Sequence, residues 1–219
     1  CARGSRKRNE DSRLTAMHTL RFGRAFRPRW VVIENVIQMR RWSRYGELVS
    51  ILTDDLGYHV REQVLDAADF AVPQRRRRLF LVCDRETPPP EINPANGRHV
   101  KNVHYILDPV GTWARGPLYS ERRATPTLER AERAIAELGR GEPFLIVYYG
   151  SDGSGGWQPL DRPLRTMTTL DRFGLVEWEG KMPILRMLQV PELMRAMGFG
   201  KGYSLPLGSR RNRIKLLGN

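Results

Sequence analysis

The feature that most constrains the fold is the order of patterns in the first 83 residues, where helical spacing alternates with short apolar runs. The second helical segment is followed by Gly57, in the usual position after a helix end. The run from Trp30 to Ile33 is apolar without alternation, which is typical of a strand covered on both faces. The predicted elements are helices at 11–26 and 43–56 and strands at 30–33, 58–65 and 78–83. This order predicts part of a doubly wound α/β sheet.

The character of the sequence changes after Asp84. The segment ETPPPEINPANG at 86–97 is Pro-rich, as domain boundaries often are, and Gly, Pro and Arg are frequent from there to about residue 180. We therefore predict a main domain formed by residues 1–88 and 181–219. Residues 89–180 are predicted to form a small separate lobe between its two parts.

Four patterns guide the prediction of elements inside and after this lobe. A charged segment with helical spacing covers residues 126–139, and a short strand-like run covers 144–149. The Gly-rich segment GSDGSGG at 150–156 lacks a preceding strand and following helix of the kind that cradles a nucleotide, so it is interpreted as a loop. From residue 182 onward the apolar spacing is again helical, which predicts a return to the main domain.

The charge of the chain favours a polyanionic partner. Lys and Arg total 37 against 24 Asp and Glu, which gives a net charge of +13 and a pI near 10.5. Such a field favours nucleic acid, although a general bias toward Arg would give a similar composition. Two cysteines cannot form a disulfide framework, and the sequence contains no apolar run of the ~20 residues that span a bilayer. We expect a cytosolic protein that needs no metal.

Glu34 ends the first predicted strand and is the first candidate site residue. Ligands of open α/β sheets bind at the carboxyl ends of the strands, which is where Glu34 falls. Backed by apolar side chains, its carboxyl group would have the neutral form favoured by desolvation and could donate a proton. The alternative is a solvated strand end whose carboxylate accepts hydrogen bonds from a loop.

A second candidate site lies in the segment AADFAVPQRRRRLFLV at 67–82. Gln74, Arg76 and Arg78 occupy alternate positions, so an extended backbone would place them on one face. One amide and two guanidinium groups side by side suit a phosphate and a base edge together. Four consecutive arginines are also compatible with a basic, solvated strand edge.

Together these motifs resemble the DNA cytosine-5 methyltransferase family in content and order. The shared series is ENV at 34–36, QRRRR at 74–78, a variable Gly-rich lobe, RPLRTMTT at 162–169 and a final Gly218-Asn219. The resemblance covers about residues 1–83 and 161–219 and leaves the lobe unmatched, as the target-recognition region of the family would be. It implies a partial Rossmann-like fold of the S-adenosylmethionine methyltransferase type.

The resemblance implies a role for each matched residue. Glu34 would contact ring nitrogen 3 of a cytosine flipped out of duplex DNA, and Asn35 would shape the adjoining turn. Arg76 and Arg78 would bracket the base carbonyl, the nucleophile loop and nearby phosphate. The residues expected to brace the recognition lobe or bind DNA are Gln74, Arg75, Arg162, Pro163 and Thr166, and those expected to line the S-adenosylmethionine pocket are Gly218 and Asn219.

The resemblance also requires a cysteine nucleophile, because carbon 5 of cytosine becomes reactive only after a thiolate adds to carbon 6. Cys1 is in register for this role, before the Asp11-Ser12-Arg13 segment, but only ten positions separate it from Asp11. Either a loop segment is absent or Cys1 is a coincidental thiol. Cys83 lies in a predicted buried strand and is expected to be a core residue.

Two kinds of function fit this sequence. The first is a DNA cytosine-5 methyltransferase of a bacterial or phage-infected cell, monomeric at full length, with a role in restriction-modification, phage self-protection or regulation. No segment resembles the Gly-rich strand-turn-helix that cradles S-adenosylmethionine, so the chain as given is expected to be a fragment with weak or no activity alone. The second is a non-catalytic DNA-recognition fragment or subunit whose partner chain supplies the cofactor half. Chance matches in an unrelated basic protein are disfavoured by the ordered series.

Overall fold

The computed structural model describes residues 10–95, 99–149, 155–200 and 202–219, apart from the side chains of Asp11 and Ser12. The chain folds into two compact units. The first contains Cys1–Asp66 and Arg77–Asn96, and the second contains Ala67–Arg76 and Gly97–Asn219. The short segment Ala67–Arg76 thus belongs to the second unit although both of its flanks belong to the first.

The first unit consists of helical segments packed on one face of a small sheet. Its helices are α1 (Glu10–Leu14), α2 (His18–Phe26) and α3 (Tyr45–Ser50), and its strands are β1 (Trp30–Asn35), β2 (His59–Asp66) and β3 (Arg77–Asp84). A 3₁₀ turn at Thr15–Met17 joins α1 to α2, and a π turn at Ile51–Asp55 extends α3. Gly57 then adopts a φ of 70°, a left-handed conformation that glycine adopts without a side-chain clash. The predicted helices and the second and third predicted strands are confirmed.

The sheet of the first unit has the order β1-β3-β2, with both pairs antiparallel. Ile33 lies opposite Leu81, and both side chains point into the core. They meet Leu20 of α2 and Leu48 of α3, which are also buried. The core therefore lies between the helices and one face of the sheet.

The prediction that the first strand is covered on both faces is wrong. Trp30 and Val32 are 65% and 62% exposed. Ile33 points to the opposite face, toward the helices, and is buried. On the second face of the sheet, the segment after β3 lies over β2: Gln63 exchanges hydrogen bonds with the main chain of Ile92, and Arg61 Nε donates to Pro89 O at 2.6 Å. Within the described residues, nothing comparable covers β1.

The second unit is built on a larger antiparallel sheet. Its strands are β4 (Gly116–Pro117), β5 (Phe144–Val147), β6 (Trp157–Pro159), β7 (Phe173–Glu179) and β8 (Met182–Met187), and its helices are α4 (Thr125–Leu138), α5 (Val190–Ala196) and α6 (Arg210–Gly218). The strand order is β4-β8-β7-β5-β6. Leu145 and Leu175 pack with α5 and α6 on one face, while Phe144 and Val176 pack with α4 on the other.

The predicted helix at 126–139 and strand at 144–149 are confirmed as α4 and β5. The helical spacing predicted from residue 182 onward is wrong in its first part, because Met182–Met187 is a strand paired with β7. Helical structure begins only at Val190, after Gln189. A run such as PILRML contains apolar residues that suit either period, and pairing with β7 decides the outcome.

Residues 181–219 pack in the second unit, together with the predicted small lobe. Their functional assignment to the catalytic domain, like the boundaries at 88 and 180, stays a prediction. In the described part of the chain, no helix is long and apolar enough to span a membrane.

Candidate functional site

Glu34 and Arg78 form the centre of the candidate site in the first unit. Glu34 lies near the end of β1, opposite Phe80 of β3, and Arg78 lies two residues before Phe80 on the same strand. The two side chains are therefore diagonal neighbours on one face of the sheet. Arg78 Nε lies 2.9 Å from Glu34 Oε1, and the two groups form an ion pair. The antiparallel register of β1 and β3 thus positions a carboxylate and a guanidinium group side by side.

The surroundings of this pair differ from the expected water-poor pocket. The Glu34 side chain is 45% exposed, whereas that of Arg78 is 16% exposed. The prediction that apolar neighbours desolvate Glu34 is therefore wrong for this structure, because the face of β1 that carries Glu34 also carries the exposed Trp30 and Val32. Arg78 is the anchored partner, and Glu34 presents its carboxylate to the outside.

Asn35 shapes the turn after β1, as expected. Its side-chain oxygen accepts a hydrogen bond at 2.8 Å from the main-chain N–H of Val36. A 3₁₀ turn at Ile37–Arg41 follows directly. The contact ends the strand one residue after Glu34, which fixes where its carboxylate emerges.

The predicted comb of Gln74, Arg76 and Arg78 on one extended face is wrong. Strand β3 begins only at Arg77, and Gln74 instead forms an isolated parallel bridge with Leu164. Each of the three side chains has a different protein partner. Arg76 Nη2 donates to the main-chain oxygen of Asn219 at 3.0 Å, and Arg78 binds Glu34.

Gln74 is fully buried and therefore not available to DNA in this structure. Its Nε2 donates to Met197 Sδ at 3.2 Å, while its Oε1 has no hydrogen-bond partner among the described residues. The main chain around it pairs with Leu164, since Arg75 N donates to Leu164 O and Leu164 N donates to Pro73 O. Gln74 thus lies where two segments of the second unit are held together.

The RPLRTMTT segment is attached to the same place. Thr166 Oγ1 donates to the main-chain oxygen of Arg75 at 2.7 Å, and Pro163 is buried. Arg162 is exposed, with 74% of its side chain accessible. These contacts agree with a bracing role for Thr166 and Pro163, while DNA contact by Arg75, Arg162 and Thr166 stays a prediction.

Gly218 ends α6 and lies against the main chain of Thr168. A Cβ atom at Gly218 would lie 2.3 Å from Thr168 O and 2.6 Å from Thr169 N, which no real side chain tolerates. The requirement for glycine is therefore explained by packing. Asn219 follows and offers its main-chain oxygen to Arg76. Neither contact is a sign of a cofactor pocket.

The structure describes one of the two cysteines, Cys83. Cys1 lies outside the described residues, and its role as nucleophile stays a prediction. Cys83 is fully buried on β3, and burial raises the pKa of its thiol to about 11. A thiol that resists ionisation is a poor nucleophile, so Cys83 is a core residue.

One buried charged cluster in the second unit was not predicted from the sequence. Glu192 on α5 and Arg186 on β8 are both buried and joined by two hydrogen bonds of 2.8 Å. Glu192 also accepts hydrogen bonds from the main-chain N–H groups of Gln189 and Asp108. The spacing Gln189-Val190-Pro191-Glu192 is that of a capping box, which could have predicted the helix start but not the buried partner.

Solved methyltransferase structures share this fold. The Entamoeba histolytica methyltransferase EhMeth matches with a TM-score of 0.59 at 14% identity, over 93% of this chain and 63% of that protein. At this identity the likeness shows the fold alone. The expected fold class, α/β of the methyltransferase type, is confirmed.

The sequence comparisons define the family. The family model described as C-5 cytosine-specific DNA methylase matches residues 2–219, so the chain belongs to this family. Type II methyltransferase M.AquIA of Picosynechococcus sp. is 32% identical over 133 residues, 50% of this chain and 54% of that protein. Type II methyltransferase M.HgiDI of Herpetosiphon aurantiacus is 30% identical over 149 residues, 65% and 47% of the two chains. The chain spans about half the length of these curated relatives.

Proposed function

We propose that the chain is the base-binding part of a DNA cytosine-5 methyltransferase, which methylates carbon 5 of a cytosine flipped out of duplex DNA. The observation that carries the proposal is the ion pair between Glu34 and Arg78 at the end of β1. Family membership supports the reaction class. The names of the relatives further support a role in type II restriction-modification.

The ion pair matches the hydrogen-bonding edge of cytosine. That edge carries an amino donor at N4, a ring nitrogen at N3 and a carbonyl acceptor at O2. The Glu34 carboxylate would accept from N4–H and from N3–H once N3 is protonated, and the Arg78 guanidinium would donate to O2. The 2.9 Å contact with Arg78 orients Glu34 for this task. Extrusion of the base from the stack is required because this edge is paired inside a duplex.

The covalent step assigned to the chain uses Cys1. The thiolate adds to carbon 6 of the ring, and the electron pair of the C5–C6 double bond moves toward carbon 5, which becomes the nucleophile. A proton at N3, stabilised by Glu34, neutralises the negative charge that develops on the ring. Once carbon 5 carries the methyl group, loss of its proton, release of the thiolate and loss of the N3 proton to solvent restore the neutral aromatic ring.

S-adenosylmethionine is the methyl donor that this function requires. The residues expected to line its pocket, Gly218 and Asn219, do not show that fit in this structure. Packing against Thr168 accounts for Gly218, and Asn219 is engaged through its main-chain oxygen by Arg76. Contact of Gly218 and Asn219 with S-adenosylmethionine therefore stays a prediction, and neither residue is assigned a part in methyl transfer. Duplex DNA is the proposed partner, and the complete enzyme is proposed to act as a cytoplasmic monomer.

The test is Glu34→Gln in the full-length protein, assayed by bisulfite sequencing of duplex DNA after incubation with methyl donor. Removing the negative charge of the Glu34 carboxylate, which would stabilise the proton at N3 of the base, is expected to lower methyl transfer by about 10²–10⁴-fold. Glu47→Gln is the matched control, because Glu47 also pairs with an arginine, Arg44 Nε, and its side chain is 44% exposed. The proposal fails if both variants methylate at the wild-type rate. A wild-type protein that binds DNA without methylating it would instead favour a recognition subunit.

A further inference from the structure

A cavity in the second unit is lined by arginine side chains. Its volume is about 480 Å³. The lining residues are Thr169, Leu170, Asp171, Arg172, Arg210, Arg211 and Ile214. They come from residues 169–172, at the end of RPLRTMTT and just before β7, and from the first turns of α6. The wall thus contains three guanidinium groups and one carboxylate, and their contacts within the protein determine which of them can bind a ligand.

Arg210 is fully engaged by the protein. Its Nε and Nη2 donate to Asp171 Oδ2 at 3.0 and 2.7 Å, and Nη1 donates to Gln189 Oε1 at 2.7 Å. Nη2 also reaches the main-chain oxygen of Leu188. The second oxygen of Asp171, Oδ1, is shielded from solvent. Oδ1 has no hydrogen-bond partner among the described residues, so the ion pair that balances the charge of Arg210 is made through Oδ2 alone.

Arg172 and Arg211 supply the remaining charge. Arg172 uses Nη1 to hold Tyr148 O at 2.8 Å, which anchors its guanidinium group and leaves Nε and Nη2 for other acceptors. Arg211 is exposed, and no partner of its side chain is seen within the described residues. Thr169 adds a hydroxyl donor to the wall. The cavity thus carries two positive charges that no carboxylate of its wall neutralises.

We propose that Arg172 and Arg211 bind one phosphodiester group of the DNA substrate in this cavity. Two guanidinium groups can donate to both non-bridging oxygens of a phosphate, with geometry that a single lysine cannot reproduce. The anchoring of Arg172 by Tyr148 reduces the entropy lost on binding. This site rests on the proposed function for its substrate, and it fixes the position of the backbone without reading sequence.

The test measures the salt dependence of duplex binding by Arg172→Gln, Arg211→Gln and the double variant. Each phosphate contact contributes about 0.9 to the slope of log K against log salt concentration. Each single variant is expected to bind more weakly at low salt and with a slope smaller by up to about one. The double variant is expected to lose no more than about one in total, because both arginines serve the same phosphate.

Arg122→Gln is the matched control, since Arg122 is an exposed arginine of the same unit outside the cavity wall. Wild-type slopes for Arg172→Gln and Arg211→Gln would overturn the site, and so would an equal decrease for Arg122→Gln, which would indicate a general field. A second arm titrates inorganic phosphate by calorimetry. Phosphate binding that Arg211→Gln abolishes, together with unchanged DNA slopes, would assign the cavity to free phosphate and reject the DNA assignment. Absence of methyl transfer with decreased variant slopes would reject the proposed function alone.

Discussion

The main chain at Gly218 passes so close to Thr168 that a single methyl group decides whether α6 can pack there. The position does not adopt a left-handed φ, so alanine would satisfy the local backbone. The obstacle is Thr168 O, 2.3 Å from an added Cβ, and a main-chain atom cannot rotate away. The effect of a substitution at Gly218 therefore isolates tertiary packing from helix propensity.

We expect Gly218→Ala to lower the free energy of unfolding by about 1–3 kcal/mol, the usual cost of overpacking. Gly46→Ala on α3 is the control, because no atom lies within 4 Å of an added Cβ there. Alanine at Gly46 is expected to leave stability unchanged or to raise it by up to about 1 kcal/mol through helix propensity. Chemical denaturation of both variants measures the difference. Equal stability of the two would contradict the close contact.

At the residue scale, the sequence predicted which residues form the candidate site better than it predicted how buried their side chains are. Glu34 and Arg78 were both singled out, and the structure brings them into contact. The burial of Gln74 was not predicted, because an amide among four arginines has the composition of a solvated edge. Its burial depends on the bridge to Leu164, a residue 90 positions away that no local pattern connects to it.

At the element scale, Asp84 joins the end of β3 to the start of β1. Its Oδ1 accepts from the main-chain N–H of Glu86 at 2.9 Å, and its Oδ2 accepts from Trp30 Nε1 at 2.6 Å. The hydrogen bond from Glu86 is the largest cause that holds the pKa of Asp84 down to about 2, and the contacts with Trp30 and Arg29 add to it. The ionised carboxylate is thus the form that the strand ends bind.

A depressed carboxyl pKa gives a defined pH dependence of stability. The contribution of Asp84 is fully present above the unfolded pKa, about 3.9. It is lost as the pH falls toward the folded value of about 2. Asp84→Asn is therefore expected to melt at a lower temperature than wild type at neutral pH, and the difference should close between about pH 4 and pH 2.

Thermal unfolding followed by circular dichroism across this range measures the effect of Asp84→Asn. Trp30→Phe, which removes one donor to the carboxylate, is expected to show a smaller difference with the same pH dependence. A melting difference for Asp84→Asn that stays constant down to pH 2 would rule out the carboxylate as its source.

The same scale shows where patterns mislead. WVVI predicted a strand correctly, but four apolar residues in a row cannot reveal whether one face or two are covered. In PILRML, strand pairing with β7 overrode helical spacing. The boundaries of α4 and β5 were easier, because α4 keeps helical spacing over 14 residues, whereas the apolar run of β5 is only as long as a strand.

At the scale of the whole molecule, the net charge of +13 influences which partners bind and how fast, but it does not determine the fold. We expect duplex affinity to decrease steeply with salt, by about 10³–10⁵-fold between 50 and 200 mM for six to ten phosphate contacts. Fluorescence anisotropy of a labelled duplex measures the slope. A methylphosphonate duplex of the same sequence, which lacks backbone charge, is the control and is expected to bind weakly at every salt concentration. A flat response with the natural duplex would exclude DNA as the partner.

The family could be predicted from the order of short motifs, since each motif alone is common but their succession is not. The large antiparallel sheet of the second unit could not be predicted, because its strands are short and their pairing joins segments as distant as Gly116 and Leu185. Long-range pairing of this kind depends on tertiary packing, which local patterns do not encode.

The segment Ala67–Arg76 has a practical consequence for protein engineering. It is a part of the second unit that the gene encodes inside the first, so the chain passes from one unit to the other three times. A chimera that exchanges the second unit at a single junction near residue 97 would leave Gln74 facing a foreign bridge partner in place of Leu164. Exchange between relatives therefore needs two grafts, one of which is only ten residues long.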